Sequence, residues 1–180
     1  MLLNLCAVSV FAETAPVVTV GKAEVSKGDT IEIPVTLSGN TGFADMGIEI
    51  GYNSDIMTLT KVTSNSGVGG TFTPAQTYTV NPFNMGWDSA ANITYNGNLA
   101  TLTFKIADNA ADGIYPITLD YYKGRNGNYV DGEDVNYDEN DNAVGFVYIS
   151  GSVVVASYIP GDINGDEKVN NKDATFLLRY

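Results

Sequence analysis

Histidine is absent from all 180 residues. That removes the side chain that most often serves as general base or zinc ligand near neutral pH, and any serine or cysteine triad built on imidazole. Cysteine occurs once, as Cys6, so the chain has no internal disulfide. Positive charge is scarce: 9 Lys and Arg stand against 21 Asp and Glu, a net charge of −12. Such a surface repels nucleic acid and anionic membranes, so neither is an expected partner. No apolar run approaches the roughly 20 residues of a membrane-spanning helix. Tryptophan too occurs once, as Trp87.

The longest apolar run, Leu2 to Ala12, is about half a membrane span and ends in small residues. It reads as a partial signal peptide over residues 1–12, cleaved after Ala12, which predicts a secreted protein. Cys6 leaves with it, and the exported chain then relies on its core and on calcium for stability.

What is present in quantity is β patterning. Ile31, Ile33, Val35 and Leu37 alternate with Glu32, Pro34 and Thr36, the period of a half-buried strand. Leu102, Phe104 and Ile106 do the same, as do Tyr115, Ile117, Leu119 and Tyr121, then Val153 and Val155. Turn residues separate the runs at Lys27-Gly28-Asp29, Asn96-Gly97, Asp112-Gly113 and Asn126-Gly127. Asn-Gly between alternating segments signals a hairpin, because both residues tolerate positive φ. Eight or nine short strands punctuated in this way predict an all-β antiparallel sandwich over residues 13–156. Pro34 and Pro116 belong at edges or bulges, since proline donates nothing to a ladder. Residues 157–160, Ser-Tyr-Ile-Pro, form the expected linker to a small C-terminal unit at 161–180.

That unit reads GDINGDEKVNNKDATFLLRY. Oxygen side chains fall at Asp162, Asn164, Asp166 and Asn170, with Asp173 closing a twelve-residue span. Ca²⁺ takes six or more oxygens, and a loop with ligands at places one, three, five, seven, nine and twelve wraps it in one turn of chain. Lys168 offers its backbone carbonyl at place seven, and Asp173 the final bidentate carboxylate. Ala174 to Arg179 then reads as the helix leaving the loop. The plain alternative is a solvated acidic tail. A second alternate-oxygen run, Asp134, Asn136, Asp138, Asn140 and Asn142, lies in the acidic loop 124–143 but has Gly145 at place twelve. Loss of the bidentate acid makes it a weak cation site or simply a solvated loop.

In Asp45 to Tyr52 the apolar set Met46, Ile48, Ile50 and Tyr52 points one way, while Asp45, Gly47, Glu49 and Gly51 point the other. Pattern alone reads the second set as a solvated sheet face. Trp87, within Tyr78 to Asp88, fits either core packing or an interface anchor.

Three segments in order resemble landmarks of the cohesin family: Gly28-Asp29-Thr30-Ile31-Glu32-Ile33-Pro34-Val35, Gly47-Ile48-Glu49-Ile50-Gly51-Tyr52-Asn53, and Leu99-Ala100-Thr101-Leu102-Thr103-Phe104. The tail, with Glu167 where an EF-hand has Gly, resembles instead the first repeat of a dockerin, the module that cohesins capture in the cellulosome. The cohesin resemblance implies a jelly-roll sandwich of about nine strands. It also implies a non-catalytic scaffoldin adaptor, monomeric and at the cell surface, whose partners are dockerin-bearing enzymes or scaffold subunits. It places the dockerin contact on the face carrying Asp45, Gly47 and Glu49, with Tyr78, Asn84 and Trp87 on neighbouring strands. The dockerin resemblance implies a Ca²⁺ cofactor and partner-reading positions at Asn171, Lys172, Leu178 and Arg179, directed at another cohesin. Two other classes stay open on sequence: a carbohydrate-binding sandwich that stacks sugars on some of the 11 tyrosines, and a two-carboxylate glycosidase.

Overall fold

The computed structural model describes residues 15–74, 80–122, 136–156, 161, 163–164 and 169–177, with the side chains of Asp173 and Leu177 outside that set. Eleven strands and one helix lie within it: β1 (Val17–Val20), β2 (Lys22–Val25), β3 (Thr30–Ser38), β4 (Phe43–Gly51), β5 (Met57–Ser64), β6 (Thr71–Thr73), β7 (Phe83–Ile93), β8 (Gly97–Ile106), β9 (Gly113–Tyr121), β10 (Val147–Ile149), β11 (Gly151–Val155) and α1 (Asn171–Leu177). The strands form two sheets, β10-β1-β3-β8-β5 and β2-β11-β9-β4-β7-β6. The expected sandwich is there. The count exceeds nine because single extended segments change sheets partway.

Val17 to Val25 is one such segment. It leaves the first sheet as β1 and enters the second as β2, breaking at Gly21. The segment from Val147 to Val155 does the same at Ser150, between β10 and β11. The two segments run side by side and parallel in both sheets, Val17 opposite Val147 and Val25 opposite Val155. This corrects the antiparallel expectation for the terminal strands. Gly151 fits where they cross because a β-carbon there would run into the Gly21 carbonyl and Val20.

Only β6 and β7 are consecutive and paired; every other connection passes from one sheet to the other. The turns at Gly28, Asn96-Gly97 and Asp112-Gly113 are therefore corners between layers, not hairpins. Gly28 (φ 75) and Gly97 (φ 133) still supply the positive φ that the residue type signals. Asn126-Gly127 lies outside the described residues.

The inward residues of both sheets make one core, with Ile33, Phe43, Ile48, Phe83, Trp87 and Phe104 fully enclosed. Each such side chain contributes on the order of 1.5–3 kcal/mol by leaving water. Aromatic edges knit the layers: Tyr52 meets Phe104 at 5.1 Å between centroids, and Phe43 meets Phe146 at 6.0 Å. Pro34 and Pro116 sit on strands interior to their sheets, but each where one neighbour has ended. The Pro34 carbonyl takes the Gly21 N–H just past β1, and β4 covers β9 only from Thr118 onward. The missing donors cost nothing there.

Candidate partner-binding face

The outer face of the second sheet centres on β4, flanked by β7 and β9. Its register sets outward residues in rows. Asp45 lies opposite Asp88, Gly47 opposite Gly86, and Glu49 opposite both Asn84 and Asp120. Gly51 lies opposite Thr118. The outward positions of these three strands thus carry four carboxylates, Asp45, Glu49, Asp88 and Asp120, and no base. The outward base of this sheet is Lys22, on the far edge strand β2. The other sheet turns out Thr58, Thr63, Thr101 and Thr103 with Lys61, Lys105 and Glu32. One face is acidic and level; the opposite one is mixed and rich in threonine.

Met46, Ile48 and Ile50 do point inward, and Tyr52 packs against the core. Two sequence assignments change. Trp87 is 0 % exposed, tilted against Phe72 at 5.0 Å, and belongs to the core. Its place on the inward side of β7 follows from alternation with Met85 and Phe83, so it cannot anchor a partner. Gly47 is also buried, its N–H accepted by Asn136 at 2.9 Å and its carbonyl taken by the Tyr122 N–H at 3.0 Å. It levels the face, its backbone groups already paired within the fold. Asn84 is half-buried on the outer side, and its Oδ1 has no hydrogen-bond partner among the described residues. Tyr78 lies outside the described residues.

Asp88 and Asp120 escaped the sequence reading. Their alternation with inward Trp87 and Leu119 marks them as outward, but only the register brings them beside Asp45 and Glu49.

Strand β9 stops pairing with β4 at Tyr121, and the segment from Asn136 takes over the vacated edge. Tyr137 exchanges backbone hydrogen bonds with Asp45 at 3.0 Å. Asn136, 1 % exposed, spans the junction: Oδ1 accepts from Gly47 and Nδ2 donates to the Tyr148 hydroxyl, each at 2.9 Å. Beyond it, Glu139 and Asn92 bond reciprocally, at 2.9 and 3.1 Å, and tie the loop to a bulge in β7. Asp45 and Asp88 then line a groove of about 550 Å³ with Asp138, Glu139 and Asp141.

Asp134 lies outside the described residues, and the alternate oxygens that follow it are turned to the fold itself. Asn136 points into the fold. Asp138 closes its own turn, Oδ1 accepting from the Asn140 and Asn142 amides at 2.8 and 2.9 Å. The Asn142 side chain and the two backbone amides hold the Asp138 carboxyl below the usual carboxylate range. Among the described residues no three acids are grouped to hold a metal ion.

In the tail, α1 starts at Asn171, three residues before the expected helix. Asn170 caps it, its Oδ1 accepting the Lys172 N–H at 2.9 Å, because a helix leaves its first amides unpaired. Asn171 and Lys172 are exposed on the first turn. Asp162, Asp166 and Lys168, the Asp173 side chain, Leu178 and Arg179 lie outside the described residues.

The family model of the cohesin domain matches residues 16–155. The chain belongs to the cohesin family. Solved structures carry the same fold. A type I cohesin–dockerin complex from Clostridium thermocellum, built on the OlpA cohesin, aligns with a TM-score of 0.67 at 17% identity, over 79% of this chain and 100% of that one. A cohesin from Clostridium acetobutylicum, solved in solution, aligns at 0.63 and 22% identity, over 82% and 95%. A non-cellulosomal cohesin from the hyperthermophilic archaeon Archaeoglobus fulgidus aligns at 0.64 and 18%, over 86% and 100%. No curated protein matches the chain. Strands β4, β7 and β9 all fall inside the matched cohesin span.

Proposed function

We propose that this cohesin is a non-catalytic assembly adaptor that captures the dockerin of an enzyme or of another scaffold subunit in a secreted, cell-surface cellulosome. The observation that carries the reading is the level, four-carboxylate face on β4, β7 and β9 of a cohesin fold, with no outward base on those strands. Flat acidic surfaces suit a basic helix, steering its approach and rejecting acidic competitors. A standard interface of roughly 1,200–2,000 Å² fits the sheet face. The chain acts as a monomer, with a cleaved signal at 1–12, the cohesin at 13–156, a linker at 157–160 and a dockerin repeat at 161–180.

In that repeat Asp162, Asn164, Asp166, Asn170 and Asp173, with the Lys168 carbonyl, hold Ca²⁺. The Asn170 cap is compatible with this, because an amide oxygen has two lone pairs and the cap uses one. The ion orders the loop ahead of α1, and Asn171, Lys172, Leu178 and Arg179 present the helix to a second cohesin.

The carbohydrate-binding alternative gains no support: no outward position of any described strand is aromatic, so no sugar-stacking strip forms on either sheet. Capture of purified dockerins by the full chain tests the adaptor reading. Binding to at least one dockerin is expected, abolished by Asp45→Lys with Glu49→Lys and by chelator. Chelator should leave the melting transition of the sandwich unchanged. Equal capture with and without chelator, or retention on cellulose gels without dockerin capture, overturns the reading.

A further inference from the structure

An Asn-Gly pair is a chemical liability as well as a turn signal. Glycine has no β-carbon to shield its nitrogen, so that backbone nitrogen can attack the carboxamide of the asparagine before it. A C–N bond forms to Cγ, and the carboxamide nitrogen leaves as ammonia with the proton that the backbone nitrogen gives up. The cyclic imide left behind adds water. It opens to aspartate or, with the backbone rerouted through the side chain, to isoaspartate. Water is the one co-reactant. The chain has three such pairs, at Asn96-Gly97, Asn126-Gly127 and Asn164-Gly165. Asn96-Gly97 lies wholly within the described residues.

At that pair the fold needs both residues. Gly97 has φ 133, and a β-carbon there would stand 2.9 Å from the Tyr95 hydroxyl. Asn96 is exposed to water, so burial does not shield it. Its carboxamide is instead held at both ends. Oδ1 accepts the Asn40 N–H at 2.9 Å, while Nδ2 donates to the Asn40 carbonyl at 3.1 Å and to the Thr94 carbonyl at 3.3 Å. Asn40 is seated in turn by its buried side chain, which donates to the Ile93 and Tyr95 carbonyls. Ammonia cannot leave without Nδ2 giving up both acceptors, and the bonds at the two ends together resist the rotation that attack demands. The products also fit worse than the asparagine. Aspartate has no N–H for the two carbonyls and sets a negative oxygen against them. Isoaspartate lengthens the backbone immediately before Gly97, which is in register with Leu37.

We infer that Asn96 is a modification site guarded by this corner. Its carboxamide survives while the clamp is closed, deamidates when the corner opens, and once converted keeps the corner from closing again. Openings that are individually reversible thus accumulate as a permanent change where β3 passes to β4 and β7 to β8. This holds whatever the sheet face binds.

The test incubates the full chain at mildly alkaline pH, where a backbone nitrogen loses its proton more readily. Peptide mapping by mass spectrometry follows Asn96 beside a synthetic peptide of residues 94–99. The folded chain should convert at least about tenfold more slowly than the peptide, because conversion waits on local opening. Asn40→Ala keeps the backbone groups that bond Asn96 but unseats them, and should raise the rate toward that of the peptide. Should that variant not fold, the parent chain in urea below its unfolding midpoint carries the test, and conversion at Asn96 should quicken as urea rises. Asn96→Asp, the product with a normal backbone, should melt about 5 °C lower than the parent. Conversion in the folded parent at the rate of the peptide overturns the guard. So does a folded Asn40→Ala chain, or the parent in urea, that converts no faster than the parent in buffer. An Asn96→Asp chain that melts with the parent overturns the one-way closure.

Discussion

Asn40 and Asn96 hold each other at a corner of the sandwich: the Asn40 N–H donates to Asn96 Oδ1 at 2.9 Å, and Asn96 Nδ2 donates to the Asn40 carbonyl at 3.1 Å. The Asn40 side chain, buried, adds bonds to the Ile93 and Tyr95 carbonyls and to the Gly42 N–H. Two connections between the sheets, β3 to β4 and β7 to β8, are thus clamped together at the root of the strands that build the acidic face. Asn40→Ala strands buried backbone groups and should cost about 2–3 kcal/mol in urea unfolding, with m unchanged. A loss under about 0.5 kcal/mol would show that water replaces the clamp.

Trp87 offers a test of core against interface. Trp87→Ala should destabilise by about 3–5 kcal/mol, as for other large-to-small core changes. Trp87→Phe should bind dockerin as the parent does. The emission of Trp87, enclosed in the core, should not move when a partner without tryptophan binds. A shift on binding would return the indole to the surface.

Gly151 and Gly69 separate space from backbone freedom. At Gly151 an added β-carbon meets the Gly21 carbonyl and Val20 where the terminal segments cross. Gly151→Ala should therefore cost about 2–3 kcal/mol or prevent folding. Gly69 has φ +86 with nothing within 4 Å, so Gly69→Ala should cost only about 1 kcal/mol of backbone strain. Thermal melts of the pair give the ranking, and equal losses would contradict it.

Asp138 predicts an acid-sensitive loop. Its folded pKa is depressed, chiefly by Asn142, so the stabilisation it gives is complete above the ordinary aspartate range and is lost as pH falls through the lower folded value. Amide exchange at Asn140 and Asn142 should quicken over that fall and become pH-independent in Asp138→Asn, apart from intrinsic exchange. An identical acid limb in the variant would assign the transition elsewhere.

Most of the layering was legible in the chain. Alternation in Ile31 to Leu37, Met46 to Tyr52 and Leu102 to Ile106 told which residues face the core, because a one-residue slip would expose the whole apolar set. The Asn96-Gly97 pair was misleading for a physical reason. Positive φ reverses the chain equally well into the same sheet or across to the other, and the choice depends on which edge is vacant. Trp87 was ambiguous because an indole suits a core and an interface alike.

By itself the sequence determined an acidic, histidine-free β sandwich with cohesin landmarks, since composition and period-two patterning act residue by residue. Tertiary structure alone decided that the terminal segments run parallel, that Asp88 and Asp120 join Asp45 and Glu49 on one face, and that the loop from Asn136 takes the edge β9 leaves. Those facts depend on strand order and register, which long-range hydrogen bonding fixes only after the layers have closed on one another.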